Sequence, residues 1–292
     1  MNQVSPSGNE HSQPPIDFGK LSGLKSLPAF PAVASKLLGV ISDEDADFRE
    51  VSRLILSDTA LSGQVLRLAN SSLFGFRQEV RSILRALCLM GANRVRDMVI
   101  TASLRDYMGA DYKSLLGDCW RHSLATALWA EALAQWYRSD RPIAYTAGIL
   151  HDLGRIALSR LAPDAYSMFL NRTSDTVSDD FRAVEQEIFG VDHCEAGAHL
   201  SRLWKFQPAL SDIIGHHHDP ITRESPPARA LVQAACTAAR VSGFCAAGSA
   251  REWDPACILS VLPPSRRGAP TVLEDMRQQV LHELNMVECS LL

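Results

Sequence analysis

The sequence predicts an all-α protein built as two helical lobes. From Leu21 onward apolar residues recur at helical spacing in nearly every segment. No run alternates apolar and polar residues with the period of a strand, and no Asn-Gly-type doublet joins two β-rich stretches. Residues 1–20 are set apart as a flexible leader, since positions 1–19 are rich in Ser, Pro, Asn and Gln, lack Lys and Arg, and contain no apolar run. That composition is not that of a signal peptide.

The N-terminal lobe is placed at residues 21–111. Val33, Leu37, Leu38 and Ile41 share one helical face, as do Val51, Leu54 and Ile55. Leu61, Val65 and Leu68 mark a third helix with Asp58 as its cap. A fourth is expected from Val80 to Met90, stopped by Gly91, and a fifth from Arg94 to Met108. Gly109 to Gly117 reads as a connection, with the lobe boundary near residue 112.

The second lobe, residues 112–242, is expected to hold helices at 118–137, 142–153, 180–189, 193–205, 208–217 and 228–242, separated by turn-rich segments. Residues 243–292 complete the chain with a loop from Ser260 to Pro270 and an amphipathic helix from Thr271 to Met286. Leu273, Met276, Val280 and Leu284 form its inward face.

The second lobe also carries the chemistry-bearing residues. Winding the helix around Trp120 at ~100° per residue puts Arg121, Glu131 and Gln135 on a wet arc and His122 on the opposite side, with Ala125, Trp129 and Trp136. Alone, His122 reads as a core histidine bonded to a carbonyl. The helix beginning at Pro142 is apolar all round through Leu150, so His151 and Asp152 emerge inside protein, and Gly154 is expected to end it. Asp152 either caps the next turn or binds a metal; a carboxylate there needs a partner.

Asp192-His193-Cys194-Glu195 has the form of a capping box, which puts His193 in a first turn where metal binding, a phosphate contact and simple exposure are all open. In Pro208 to His218 the face of Leu210, Ile213 and Ile214 continues onto His217, while its neighbours are expected to face solvent. Cys194 beside His193 is a small buried hydrophobe rather than a nucleophile on this reading. Together His122, His151, Asp152, His193 and His217 could hold Zn, Fe or Mn and activate water for phosphoester hydrolysis.

Composition excludes several classes. A hydrophobic fraction of 46% and a charged fraction of 21% are those of a soluble globular protein. The net charge of −4 leaves no basic footprint for nucleic acid. No apolar stretch is long enough to span a bilayer. With neither signal peptide nor spanning stretch the expected setting is the cytoplasm, and seven cysteines without a CxxC pair argue against a complete disulfide framework.

His122 followed by His151-Asp152 resembles the metal-binding signature of the HD superfamily of phosphohydrolases. Leu27-Pro28-Ala29-Phe30-Pro31, Ser57-Asp58-Thr59-Ala60-Leu61, Leu68-Ala69-Asn70-Ser71-Ser72 and Ala86-Leu87-Cys88-Leu89-Met90-Gly91 are similar to successive motifs of the HDOD family. The resemblance covers about residues 21–242, and His193 and His217 fall where that family carries histidines. It implies a bacterial signalling module, an N-terminal helical bundle packed on an HD-like lobe.

The HD pattern ends on an aspartate of a later helix, and here Cys236 stands in its place, with no acid between Glu224 and Glu252. The glycine-tyrosine-proline motif of the relatives that hydrolyse cyclic-di-GMP is absent as well. The expectation is therefore a non-catalytic regulatory module with a degenerate phosphohydrolase site, acting through signalling proteins or a sensed ligand. The alternative is a metal-dependent phosphohydrolase acting on nucleotides or cyclic dinucleotides, with Arg155 contacting phosphate.

Overall fold

In the computed structural model the described residues are 22–40, 47–109, 115–137, 139, 141–178, 180–250, 252–262 and 270–291. The leader and the boundary near residue 112 lie outside them. All regular structure among the described residues is helical. After a 3-10 turn at Ser22–Ser26, the N-terminal bundle comprises α1 (Ala32–Val40), α2 (Phe48–Leu56), α3 (Thr59–Ala69), α4 (Ile83–Met90) and α5 (Ala92–Met108). There follow α6 (Gly117–Tyr137), α7 (Arg141–Leu150), α8 (Leu153–Leu161), α9 (Pro163–Thr173) and α10 (Arg182–Phe189). The chain closes with α11 (His193–Leu203), α12 (Pro208–His216), α13 (Pro227–Val241), α14 (Pro255–Val261) and α15 (Pro270–Leu291).

Local chemistry accounts for the starts and stops. The Asp58 carboxylate accepts from Leu61 N at the head of α3, and Asp192 with Glu195 completes a capping box on α11. Helix α4 begins three residues later than periodicity suggests. The Asn70 side chain accepts from Val80 N at 2.7 Å and donates to Val80 O at 2.9 Å, so the chain there is pinned to another segment and Ser82 becomes the cap.

Three further departures lie beyond the N-terminal bundle. Helix α7 stops at Leu150, and Gly154 sits inside the next helix rather than ending the previous one. Helices α8 and α9 fill a stretch read as turn-rich, α9 starting on Pro163 at its first turn. Ser260 and Val261 belong to α14 rather than to a loop, whose residues 263–269 lie outside the description.

One hydrophobic core runs from Leu24 to Val287, through the N-terminal helices and those that follow them. Phe30 of the LPAFP segment is the wedge between them, with ring centroids 5.2 Å from Trp204 and 5.6 Å from Phe206. Tyr107 packs edge-on against Trp204 at 5.0 Å and donates its hydroxyl to Pro28 O. Helix α15 lies across α3 and α6, with Arg94 bridging Glu131 and Glu283 and with Arg121 paired to Glu288.

Helix α5 buries an acid. Burial pushes the Asp97 carboxyl up to about 7 against the pull of Arg96, 2.9 Å away. An unfolded chain ionises this group from about pH 4. The stability that the protonated acid contributes is thus whole below that pH, declines as pH rises, and levels off above about 7. Asp97→Asn is expected to flatten this slope in urea unfolding between about pH 4 and 8. A difference between wild type and variant that does not vary with pH would refute the assignment.

Candidate metal centre

Two close helix approaches assemble the centre. Gly148 of α7 faces the α6 backbone so tightly that a Cβ would stand 2.6 Å from Ala127 Cα, and this brings His151 beside His122. Gly154 of α8 lies directly on the backbone of His193, at the head of α11. Helix α12 then delivers His217 at its C-terminal cap position. His122, His151, Asp152, His193 and His217 are all buried, none more than 2% exposed. The structure brings together all five residues singled out from the sequence.

Each imidazole is oriented through Nδ1. That atom of His122 donates to Phe244 O at 2.8 Å, of His151 to Gly148 O at 2.7 Å, and of His217 to Ile214 O at 2.9 Å. Carbonyls only accept, so Nδ1 carries a hydrogen in each case, and in His122 and His151 Nε2 presents its lone pair inward. His193 Nδ1 is held by the Glu185 carboxylate. The four Nε2 atoms converge on Asp152 from two sides. Those of His122 and His151 lie 3.8 Å from Oδ2, whereas those of His193 and His217 lie 3.4 and 3.6 Å from Oδ1.

Asp152 occupies the N-cap position of α8, yet its side chain makes no capping bond. Its Oδ1 is buried with no hydrogen-bond partner, and its Oδ2 receives Arg155 Nε at 3.2 Å. The capping alternative therefore fails on geometry.

The two sides of Asp152 differ electrostatically. Burial drives His122 down to about 4 and His151 well below the ordinary imidazole value, despite the carboxylate beside them. Burial would also lower His193 and His217, but the Cys194 sulfur between them prevails, together with Glu185 at His193 and Asp152 at His217, so both stand above the ordinary value. For Asp152, burial is outweighed by His151 and Arg155, and the carboxyl sits well below its usual range.

Cys236 lies in the cluster, its Sγ 3.5 Å from His122 Nε2. His122, His151 and Cys236 form one group able to hold an ion; His151, Asp152 and His217 form another. The donor set suits a metal ion. His122 and His151 Nε2 stand 3.2 Å apart with lone pairs facing, an arrangement no hydrogen bond explains. Tetrahedral nitrogen ligands of a zinc ion are likewise about 3.3 Å from one another.

Arg155 is 2% exposed and spans the carboxylates of Asp152 and Glu185, with its guanidinium 5.6 Å from the Phe169 ring centroid. Glu185 escaped the sequence reading, although its spacing to Ile188 and Phe189 on α10 put an acid on an apolar face. His218 is a correction: it does not face solvent as His216 does, but packs its ring 4.4 Å from His217 and 5.1 Å from His193. It joins His193 and His217 in a third group of donors.

The family model for the HDOD domain matches residues 27–220. The chain belongs to the HDOD family. An HDOD domain protein of unknown function from Geobacter sulfurreducens superposes with a TM-score of 0.73 at 22% identity, over 92% of this chain and 97% of that one. A candidate phosphohydrolase from Shewanella amazonensis gives 0.70 at 24% identity over 93% and 97% of the two chains. A candidate signal transduction protein from Marinobacter aquaeolei gives 0.72 at 20% identity over 91% of this chain and 60% of that one. These likenesses establish the fold. An uncharacterized Treponema pallidum protein is 24% identical over 204 residues, 68% of this chain, and the chain spans 39% of that relative's length. No described helix of this HDOD protein is long and apolar enough to cross a membrane.

Proposed function

We propose that this HDOD protein is a regulatory module whose buried centre holds a divalent metal as an architectural or sensing element, without turnover. One observation carries this reading: every donor facing Asp152 is buried, none more than 2% exposed, which leaves almost no surface for a phosphoester to meet. His122, His151, Asp152, His193 and His217 are the ligands, with Cys236 contributing where the HD pattern has a carboxylate. A thiol in that position favours zinc or iron over magnesium or manganese. When bound, the ion supplies the positive charge and Lewis acidity that the converging lone pairs call for.

Arg155 acts as a positioning residue for Asp152 and Glu185, which take its Nε and Nη1, rather than as a phosphate contact. Partner proteins in bacterial signalling read the outer surfaces. The seven cysteines, none in a CxxC pair, suit a reducing compartment such as the cytoplasm.

Metal analysis of chelator-free protein tests the assignment. Stoichiometric zinc or iron is expected, lost in His151→Ala together with several degrees of thermal stability. Metal-free wild type would remove the metal. Turnover of cyclic dinucleotides or nucleoside phosphates, abolished by His151→Ala, would overturn the non-catalytic reading and establish the hydrolase in its place.

A further inference from the structure

A cavity of about 240 Å³ opens beside α7, lined by residues of α1, α5, α7, α12 and α13. Leu38 of α1 faces Ile143 of α7 across it, and Leu210 and Ile213 of α12 form the floor. Ile213 packs on Ala147 and Val232 beneath. The walls are thus mostly apolar, and the volume is below the ~300–1,000 Å³ of drug-sized sites.

One polar side chain on this lining is unsatisfied and a second is only partly engaged. Thr146 is 6% exposed, and its Oγ1 is buried without a hydrogen-bond partner. A hydroxyl left so is costly unless something fills the site. Arg96 is 5% exposed, and its Nε and one Nη both go to a single oxygen, Asp97 Oδ1. Its other guanidinium donors have no partner among the described residues. A cation and a hydroxyl in a mostly apolar cleft match a carboxylate on a hydrocarbon body. Asp212 at the rim, 3.9 Å from His216, disfavours a second negative charge on the occupant.

We propose that this cleft binds a small monocarboxylate with an apolar body, its carboxylate on Arg96 and Thr146 and its hydrocarbon against Leu38, Ile143, Leu210 and Ile213. The occupant would bear on the two helices that orient the histidine centre. Two residues beyond Thr146, Gly148 offers the carbonyl that holds His151, and Ile214, next to Ile213, offers the one that holds His217.

Calorimetric titration of the full chain with hexanoate, and with hexanamide as its neutral counterpart, tests the site. Hexanoate is expected to bind at one site per chain, and hexanamide about tenfold or more weakly, because one charge-assisted contact is lost. Thr146→Val should weaken hexanoate several-fold. Arg96→Gln should reduce it to the level of the amide; because that change leaves Asp97 unpaired, Ala228→Phe, which fills the cleft from a half-buried position, provides a second route to loss of binding. No heat at millimolar hexanoate, equal binding of the amide, or binding undiminished by Ala228→Phe would overturn the proposal.

Discussion

Gly154→Ala is expected to abolish the folded state. An added Cβ would stand 1.8 Å from His193 O, 2.6 Å from His193 C and 2.8 Å from Gly197 N. All three are backbone atoms, so no side chain can swing aside; α8 and α11 must separate by more than an ångström. That opening would draw His193 from the cluster and loosen the close packing around it, for a cost above about 4 kcal/mol. Gly63→Ala is the control, since nothing lies within 4 Å of a Cβ there and it sits in α3. It should gain about 0.5–1 kcal/mol. Soluble yield and urea midpoints report both effects. A Gly154→Ala protein within about 1 kcal/mol of wild type would mean that the helices approach less closely than described.

Glu185→Ala is expected to cost about 3–5 kcal/mol, the range for breaking a buried ion pair from one side. The carboxylate receives three donors: the Arg155 guanidinium, His193 Nδ1, and the backbone N–H of His193 at 3.0 Å. Removing it leaves Arg155 to Asp152 alone and His193 without its orienting contact. Metal content should therefore fall along with stability, as it does when such outer partners of a ligand are lost. Glu185→Gln retains an acceptor and should lose less on both counts. Urea unfolding with parallel metal analysis measures the pair. A variant that unfolds like wild type and keeps its metal would show that Arg155 and His193 are held by other means.

How much was legible in the sequence depended on the range of the interaction. Caps and amphipathic faces are local, so Asp58, the Asp192–Glu195 box and the stripe of Leu273, Val280 and Leu284 could be read directly, and the structure bears them out. The inward sense of His122 and His217 followed from the same periodicity. Helices α8 and α9 did not. Gly154 and Pro163 look like terminators, and only the neighbouring backbone of α11 shows that Gly154 serves a close contact within a helix. Glu185 was visible as an acid on an apolar face but needed Arg155, thirty residues away, to acquire a meaning. The cleft at Arg96 and Thr146 joins five helices, and no local pattern marks it.

The cover that α13 and α15 lay over α6 separates recognition from folding. The family match ends at residue 220, yet Cys236 and the Phe244 carbonyl that fixes His122 both lie beyond it. A fragment cut at that boundary would keep every motif by which the family is known and would leave the apolar flank of α6 bare. It would also lack the groups that complete one half of the centre. The matched segment carries all the clustered histidines, while Cys236 and the Phe244 carbonyl beyond it complete the surroundings of His122, so the tail belongs to the cluster although the family match stops short of it.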